Sequence, residues 1–177
     1  MEKQYRQYIK FADPNVAKIC IENWSSDGKG LTYADAARVT GMAKKGTTAS
    51  AFRLGYDAYS SFDELKYFTG MTTLAPIQTF YNCYKLATIT LSPNTTALSG
   101  AVFRNTGTHV TGGTTFTFLC PTVMSVGATA LTNNSVNPFQ ANYSYVKAIR
   151  VPSDLVQSYK DHWFWGAVLA DKIIAIE

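Results

Sequence analysis

Apolar and polar positions alternate most cleanly over Thr88-Ile89-Thr90-Leu91. Successive side chains of a strand point to opposite sides, so Ile89 and Leu91 fall on one face. Upstream, within Thr72 to Pro93, Leu74, Ile77, Phe80, Cys83 and Leu86 recur every third position and are expected to point inward from a turn-rich arc. Such a coil cannot bury its apolar side alone. Further β-rich runs at Phe116 to Cys120, Lys147 to Val151 and Lys172 to Ile176 follow one another at roughly twenty-five to thirty residues, a spacing typical of stacked repeats. In the last run Ile173 and Ile174 are adjacent, which predicts a strand buried on both faces.

Helical signals lie outside these runs. Asp13-Pro14 reads as an N-cap followed by proline at the first helical position, with Val16, Ile19 and Cys20 on one face of a helix reaching about Asn23. Thr32 caps a second helix, Asp35 completes a capping box, Ala36, Ala37 and Val39 pack it, and Gly41 ends it. Thr47 to Leu54 alternates weakly and predicts a strand. Ser61 caps a short helix, Phe62 to Phe68, whose Phe62, Leu65 and Phe68 share a face, and Gly70 stops it. Leu98 and Phe103 then re-enter the core. A Gly/Thr-rich excursion spans Thr106 to Thr115, and a long coil from Pro121 to Asn142 offers Val123, Met124, Val126, Leu131 and Phe139 inward, with an Asn-rich tip at Asn133-Asn134. Ser153 caps a last helix that buries Leu155, Val156 and Tyr159. Beyond it, Trp163-Phe164-Trp165 either closes the end of the stack or forms an exposed aromatic patch.

The run Phe80-x-x-Cys83-x-x-Leu86-x-x-Ile89-x-Leu91, with Pro93 just after, resembles the BspA-like leucine-rich repeat, and Ile149-Arg150-Val151-Pro152 resembles a second repeat ending. Ser61 to Gly70 is similar to the segment preceding the first repeat in such proteins from gut Bacteroides and their phages. Leu155 to Lys160 and Ala170 to Ile173 resemble the terminal cap. Met1 to Phe11 mixes tyrosines with basic residues and reads either as an arm that orders on a partner or packs late on the domain, or as a frayed terminus. With the resemblance, the chain reads as α+β: an N-terminal arm over 1–12, a small helical preface over 13–70, and a short irregular leucine-rich-repeat-type β-solenoid with a C-terminal cap over 71–177.

Composition narrows the function. A chain of 177 residues that is 46% hydrophobic is one domain's worth and holds a continuous core. Charged residues are sparse at 16% while Tyr and Phe are abundant, which favours strands and contact surfaces. A net charge of +4 from scattered lysines and arginines does not point to nucleic acid. Met1 to Lys10 has no apolar core of a secretory signal, Met1 reads as a native start, and no run is long and apolar enough to span a membrane. Cys20, Cys83 and Cys120 cannot all pair within one chain and sit among apolar residues, so buried free thiols are expected.

The most chemically suggestive stretch is Ser25 to Asp35, SSDGKGLTYAD. With Gly30 at the sixth position of a calcium loop, Ser25, Asp27 and Lys29 fall at the first, third and fifth. Lysine cannot ligate a cation, and Leu31 and Asp35 reach their places only with one residue deleted. The stretch is therefore expected to be a degenerate calcium-loop-like turn, with the Lys29 ammonium in part of the vacated cation position. His109 and His162 are the only histidines, and His109 reads as solvated. No catalytic, cofactor-binding or metal-ligating residue is assigned.

Together with the resemblance, these features predict a non-enzymatic structural or interaction protein. The leading expectation is a phage virion component of the head-fibre or capsid-decorating type, a homo-oligomer contacting other virion proteins, with a host surface ligand as a further candidate partner and neither nucleic acid nor membrane. The alternatives are a bacterial cell-surface adhesin, extracellular or on the bacterial surface, and an intracellular protein-interaction module.

Overall fold

The computed structural model describes residues 6–177; Met1 to Tyr5, the first part of the expected arm, lie outside the described residues. From Arg6 onward this segment packs on the domain. Tyr8 bridges Thr32, the Ile9 N–H donates to the Leu31 carbonyl at 2.8 Å, and Ile9 is buried.

Helix α1, Pro14–Trp24, forms where the local chemistry asks for it. The Asp13 carboxylate accepts the Asn15 and Val16 N–H groups at 2.8 and 3.2 Å, and Val16 and Cys20, one turn apart, are buried. Helix α2, Tyr33–Ala37, opens on the expected capping box: the Thr32 hydroxyl accepts the Asp35 N–H at 3.0 Å, and the Asp35 carboxylate accepts the Thr32 N–H at 3.1 Å. It stops at Ala37 rather than Gly41. Gly70 packs so closely on this helix end that a Cβ there would collide with the Ala37 carbonyl oxygen.

Seven strands follow: β1 Ser61–Phe62, β2 Thr73–Leu74, β3 Thr88–Leu91, β4 Ala97–Leu98, β5 Thr114–Phe118, β6 Val146–Val151 and β7 Ile173–Ala175. They form a five-stranded parallel sheet in the order β1-β3-β5-β6-β7 and a two-stranded parallel sheet of β2 with β4. Register aligns Phe62, Ile89, Phe116, Ile149 and Ile173 in one row, all buried. On the other face, threonines 88, 90, 115 and 117 stand partly exposed. A bulge between Thr114 and Thr115 shifts the β5 pairing with β6.

The core is a chain of aromatic rings. Trp24, Phe52, Phe62, Phe80, Phe103, Phe116, Phe139 and Trp165 follow one another with centroids 4.6 to 6.3 Å apart. Buried threonines between the layers bond to backbone rather than stay orphaned: Thr95, Thr106 and Thr114 donate to the Met71, Phe80 and Leu86 carbonyls at 2.8, 2.8 and 2.6 Å. Helices α3, Val156–Asp161, and α4, Trp165–Leu169, close the C-terminal end, with single 3₁₀ turns at Asp63–Tyr67, Ser153–Leu155 and Ala170–Lys172. Among the described residues no helix is long and apolar enough to cross a membrane.

This α/β architecture, a five-stranded parallel sheet with a two-stranded second sheet and four short helices, corrects the expected α+β leucine-rich-repeat-type β-solenoid. The β-rich runs are strands, but the segments joining them share no unit. A 3₁₀ turn and a two-residue strand join β1 to β3, long turn-rich coils precede β5 and β6, and two helices precede β7.

Local expectations change with it. Ser61 and Phe62 are strand rather than helix, because they pair with Thr88 and Ile89 and because the Asp63 carboxylate then accepts the Thr88 and Thr90 hydroxyls, each at 2.7 Å. Thr47 to Leu54 forms no strand beyond an Ala43 to Ser50 bridge. The Ser50 hydroxyl donates to the Thr79 carbonyl at 2.8 Å and accepts the Phe52 N–H at 3.1 Å, which bends the segment into a loop. Ser153 makes no capping bond. Ile77, Leu131 and Ile174, expected inside, are 65%, 45% and 42% exposed.

Candidate interaction surface

Three segments are laid side by side by backbone bonds. The Leu54 N–H donates to the Tyr81 carbonyl at 2.8 Å, Tyr84 to Tyr56 at 2.6 Å, Asn82 to Arg104 at 3.0 Å and His109 to Tyr84 at 2.9 Å. The chain reverses there through left-handed residues, among them Leu54 (φ 62°), Tyr56 (φ 46°), Gln78 (φ 60°), Asn82 (φ 59°) and Asn105 (φ 55°). Asparagine tolerates this conformation, and the Asn105 Nδ2 donates to Asn82 Oδ1 at 2.9 Å. Leucine and tyrosine do not, at roughly 1–2 kcal/mol per residue. Yet Leu54 and Tyr56 keep large side chains there, 42% and 50% exposed.

The side chains these turns present are tyrosine, arginine and histidine. The Arg53 and Arg104 guanidinium carbons lie 5.6 and 4.8 Å from the Tyr81 ring centroid. Tyr56 packs on Tyr84 at 5.6 Å, Tyr84 on His109 at 4.6 Å, and His109 Nδ1 meets Asp57 Oδ1 at 2.9 Å. His109, read from sequence as merely solvated, is therefore a member of the cluster. Tyr and Arg are the residue types that carry most binding energy at protein interfaces, because a large rigid ring or planar fork loses little entropy on contact. Leu54 and Tyr56 thus hold backbone strain under exposed side chains. Leu54→Gly is accordingly expected to stabilise the fold by about 0.5–1 kcal/mol in urea unfolding. A loss of stability would show that the leucine serves the fold instead.

The degenerate calcium-loop stretch resolves differently from the expectation. Asp27 is compensated not by Lys29 but by the N-terminal segment: its Oδ2 accepts Arg6 Nη1 at 2.8 Å and the Tyr8 hydroxyl at 2.7 Å, while Oδ1 accepts the Lys29 N–H at 2.9 Å. The Tyr8 hydroxyl, the Lys29 N–H and Arg6 hold this carboxyl well below its ordinary range. Asp35 is committed to the α2 cap and to Arg38. Among the described residues no group of three or more His, Cys, Asp or Glu is placed to hold a metal ion.

The remaining candidates are structural. All three cysteines are free and buried, and burial pushes the Cys83 thiol up to about 12 and raises Cys20 as well. His162 Nδ1 accepts the Phe164 and Trp165 N–H groups at 3.2 and 3.4 Å at the start of α4, and burial lowers its pKa, which favours the neutral acceptor. In the aromatic step, Phe164 and Trp165 are core while Trp163 is 45% exposed.

Sequence reading did not single out Arg53, Tyr56, Tyr81, Tyr84 or Arg104. The available signal was the recurrence of Tyr and Arg in three consecutive turn-rich segments, but only the backbone ladder brings them together. No protein-family model and no curated protein matches the chain.

Proposed function

We propose that the protein is a non-enzymatic structural protein that works through protein–protein contacts, and that it is a virion component of the head-fibre or capsid-decorating type. The observation that carries the contact role is the Tyr/Arg/His face, in which Arg53, Tyr56 and His109 are exposed and Tyr81, Tyr84 and Arg104 partly so, built on left-handed turns whose Leu54 and Tyr56 keep bulky exposed side chains. The virion assignment rests on the resemblance of Ser61 to Gly70 to a segment of proteins from gut Bacteroides and their phages.

Two measurements test the reading. Protein mass spectrometry of particles purified from a producing culture is expected to find this chain at structural copy number. Recovery only from the soluble fraction would overturn the virion assignment. Light scattering of the full chain is expected to show an oligomer, and a monomer would remove self-assembly from the reading.

A further inference from the structure

The geometry points to a carboxylate-rich, extended segment of a partner protein as the occupant of the Arg53–Tyr81–Arg104 cluster, an inference that rests on the contact role proposed above. Arg6 and Arg38 are each spent on a carboxylate of this chain, Asp27 and Asp35. Arg53 and Arg104 make no ion pair and no side-chain hydrogen bond among the described residues; their contact is with one tyrosine ring. A guanidinium lying over a ring uses its face and leaves its N–H edge free, and that edge matches a carboxylate with two parallel bonds.

Both guanidinium carbons lie within 5.6 Å of the same centroid. Two guanidinium groups held on one ring suit a chain that carries more than one carboxylate, and an extended chain repeats same-side side chains about every 7 Å. Asp57, which adjoins this face, is bonded to His109 and pairs with neither arginine, so among the described residues Arg53 and Arg104 keep unpaired positive charge. The adjoining Tyr56–Tyr84 pair and the exposed Leu54 supply apolar area beside it. A polyanion read only by charge would not need the rings, whereas a peptide uses both.

The test is fluorescence anisotropy of a fluorescein-labelled dodecapeptide of alternating glutamate and glycine against the full chain at low salt. Arg53→Gln/Arg104→Gln is expected to weaken binding about tenfold or more, and Arg53→Lys/Arg104→Lys to weaken it by a smaller but clear factor, because charge remains and the planar fork is lost. Lys147→Gln/Lys160→Gln removes the same charge from exposed positions elsewhere and is expected to change affinity less than about twofold. Thermal unfolding of each variant confirms an intact fold. Equal loss in both glutamine doubles would overturn the proposal in favour of net charge. So would equal, cluster-dependent binding of labelled oligothymidylate, which would reassign the face to polyanions in general. Absence of peptide binding by the unaltered chain overturns it too. If, in that case, light scattering shows an oligomer that Arg53→Gln/Arg104→Gln dissociates, the occupant is a second copy. Failure of peptide binding with the chain still present in particles would remove the partner chemistry alone and leave the contact function standing.

Discussion

Trp165→Ala is expected to destabilise the protein by about 3–5 kcal/mol, the largest loss from any single substitution considered. The ring is fully buried and packs on Phe164, Phe118, Tyr159 and Phe139 at centroid distances of 5.0, 5.6, 6.0 and 6.3 Å. Its removal empties the joint between α4 and Phe118 of β5, which strand pairing holds back from the void. A second cost is polar. Met124 is gripped at both backbone groups by aromatic side chains: its carbonyl accepts Trp165 Nε1 at 2.7 Å and its N–H donates to the Tyr159 hydroxyl at 2.8 Å. Without the indole the carbonyl loses its partner in a buried setting. Trp165→Phe keeps most of the area and loses the bond, so it is expected to cost about 1–3 kcal/mol. Trp163→Ala, on the neighbouring exposed ring, should stay within about 0.5 kcal/mol. Chemical unfolding of the three variants separates these values. Similar losses for Trp163 and Trp165 would mean that the C-terminal helices do not seal the core as described.

The same residues show which parts of the structure a reader of the sequence can reach. The α1 and α2 starts were legible because their chemistry is local: Asp13 meets Asn15 and Val16, and Thr32 meets Asp35. The β3 strand was legible because alternation and strand geometry share a period. Ser61 and Phe62 were not, because their conformation is set by Thr88 to Thr90, a distant partner that no local propensity reports. Ile77 failed for a different reason. It keeps the three-residue apolar spacing, but Gln78 turns left-handed immediately after it, and the spacing stops indicating direction. The overall architecture was misread at the same level, since correctly placed strand runs did not reveal that the connections between them differ. The candidate surface was the least legible part. Arg53, Tyr81 and Arg104 come from three segments whose adjacency depends on backbone bonds between turns that propensity assigns to loops.

Asp13 joins local and distant structure, and its substitution is the second large expected effect. One oxygen caps α1; the other accepts the Ser60 N–H at 2.6 Å and the Ser60 hydroxyl at 2.8 Å, immediately before β1. Asp13→Ala removes a cap worth about 1 kcal/mol and leaves part-buried donors at Ser60 without their acceptor, for a total loss of about 2–3 kcal/mol. Asp13→Asn keeps one acceptor for the cap but sets an NH₂ against the Ser60 N–H, so it should recover only the capping share. The carboxyl also links stability to pH. Burial opposes its ionisation, but the Ser60 N–H and hydroxyl and the Val16 and Asn15 N–H groups outweigh burial and hold its pKa below the ordinary value. A folded pKa lower than the unfolded one gives stability that is fully present above about pH 4 and drains away as pH falls through the folded value. Stability of the unaltered chain is therefore expected to fall on acidification below about pH 4, and Asp13→Ala to flatten that slope while lowering stability at neutral pH. Equal slopes for the two proteins would show that Asp13 is not where the acid sensitivity lies and would shift it to Asp27 and Asp35, whose carboxyls are lowered in the same direction, the first by the Tyr8 hydroxyl, the Lys29 N–H and Arg6, the second against its own burial by the Thr32 hydroxyl and N–H.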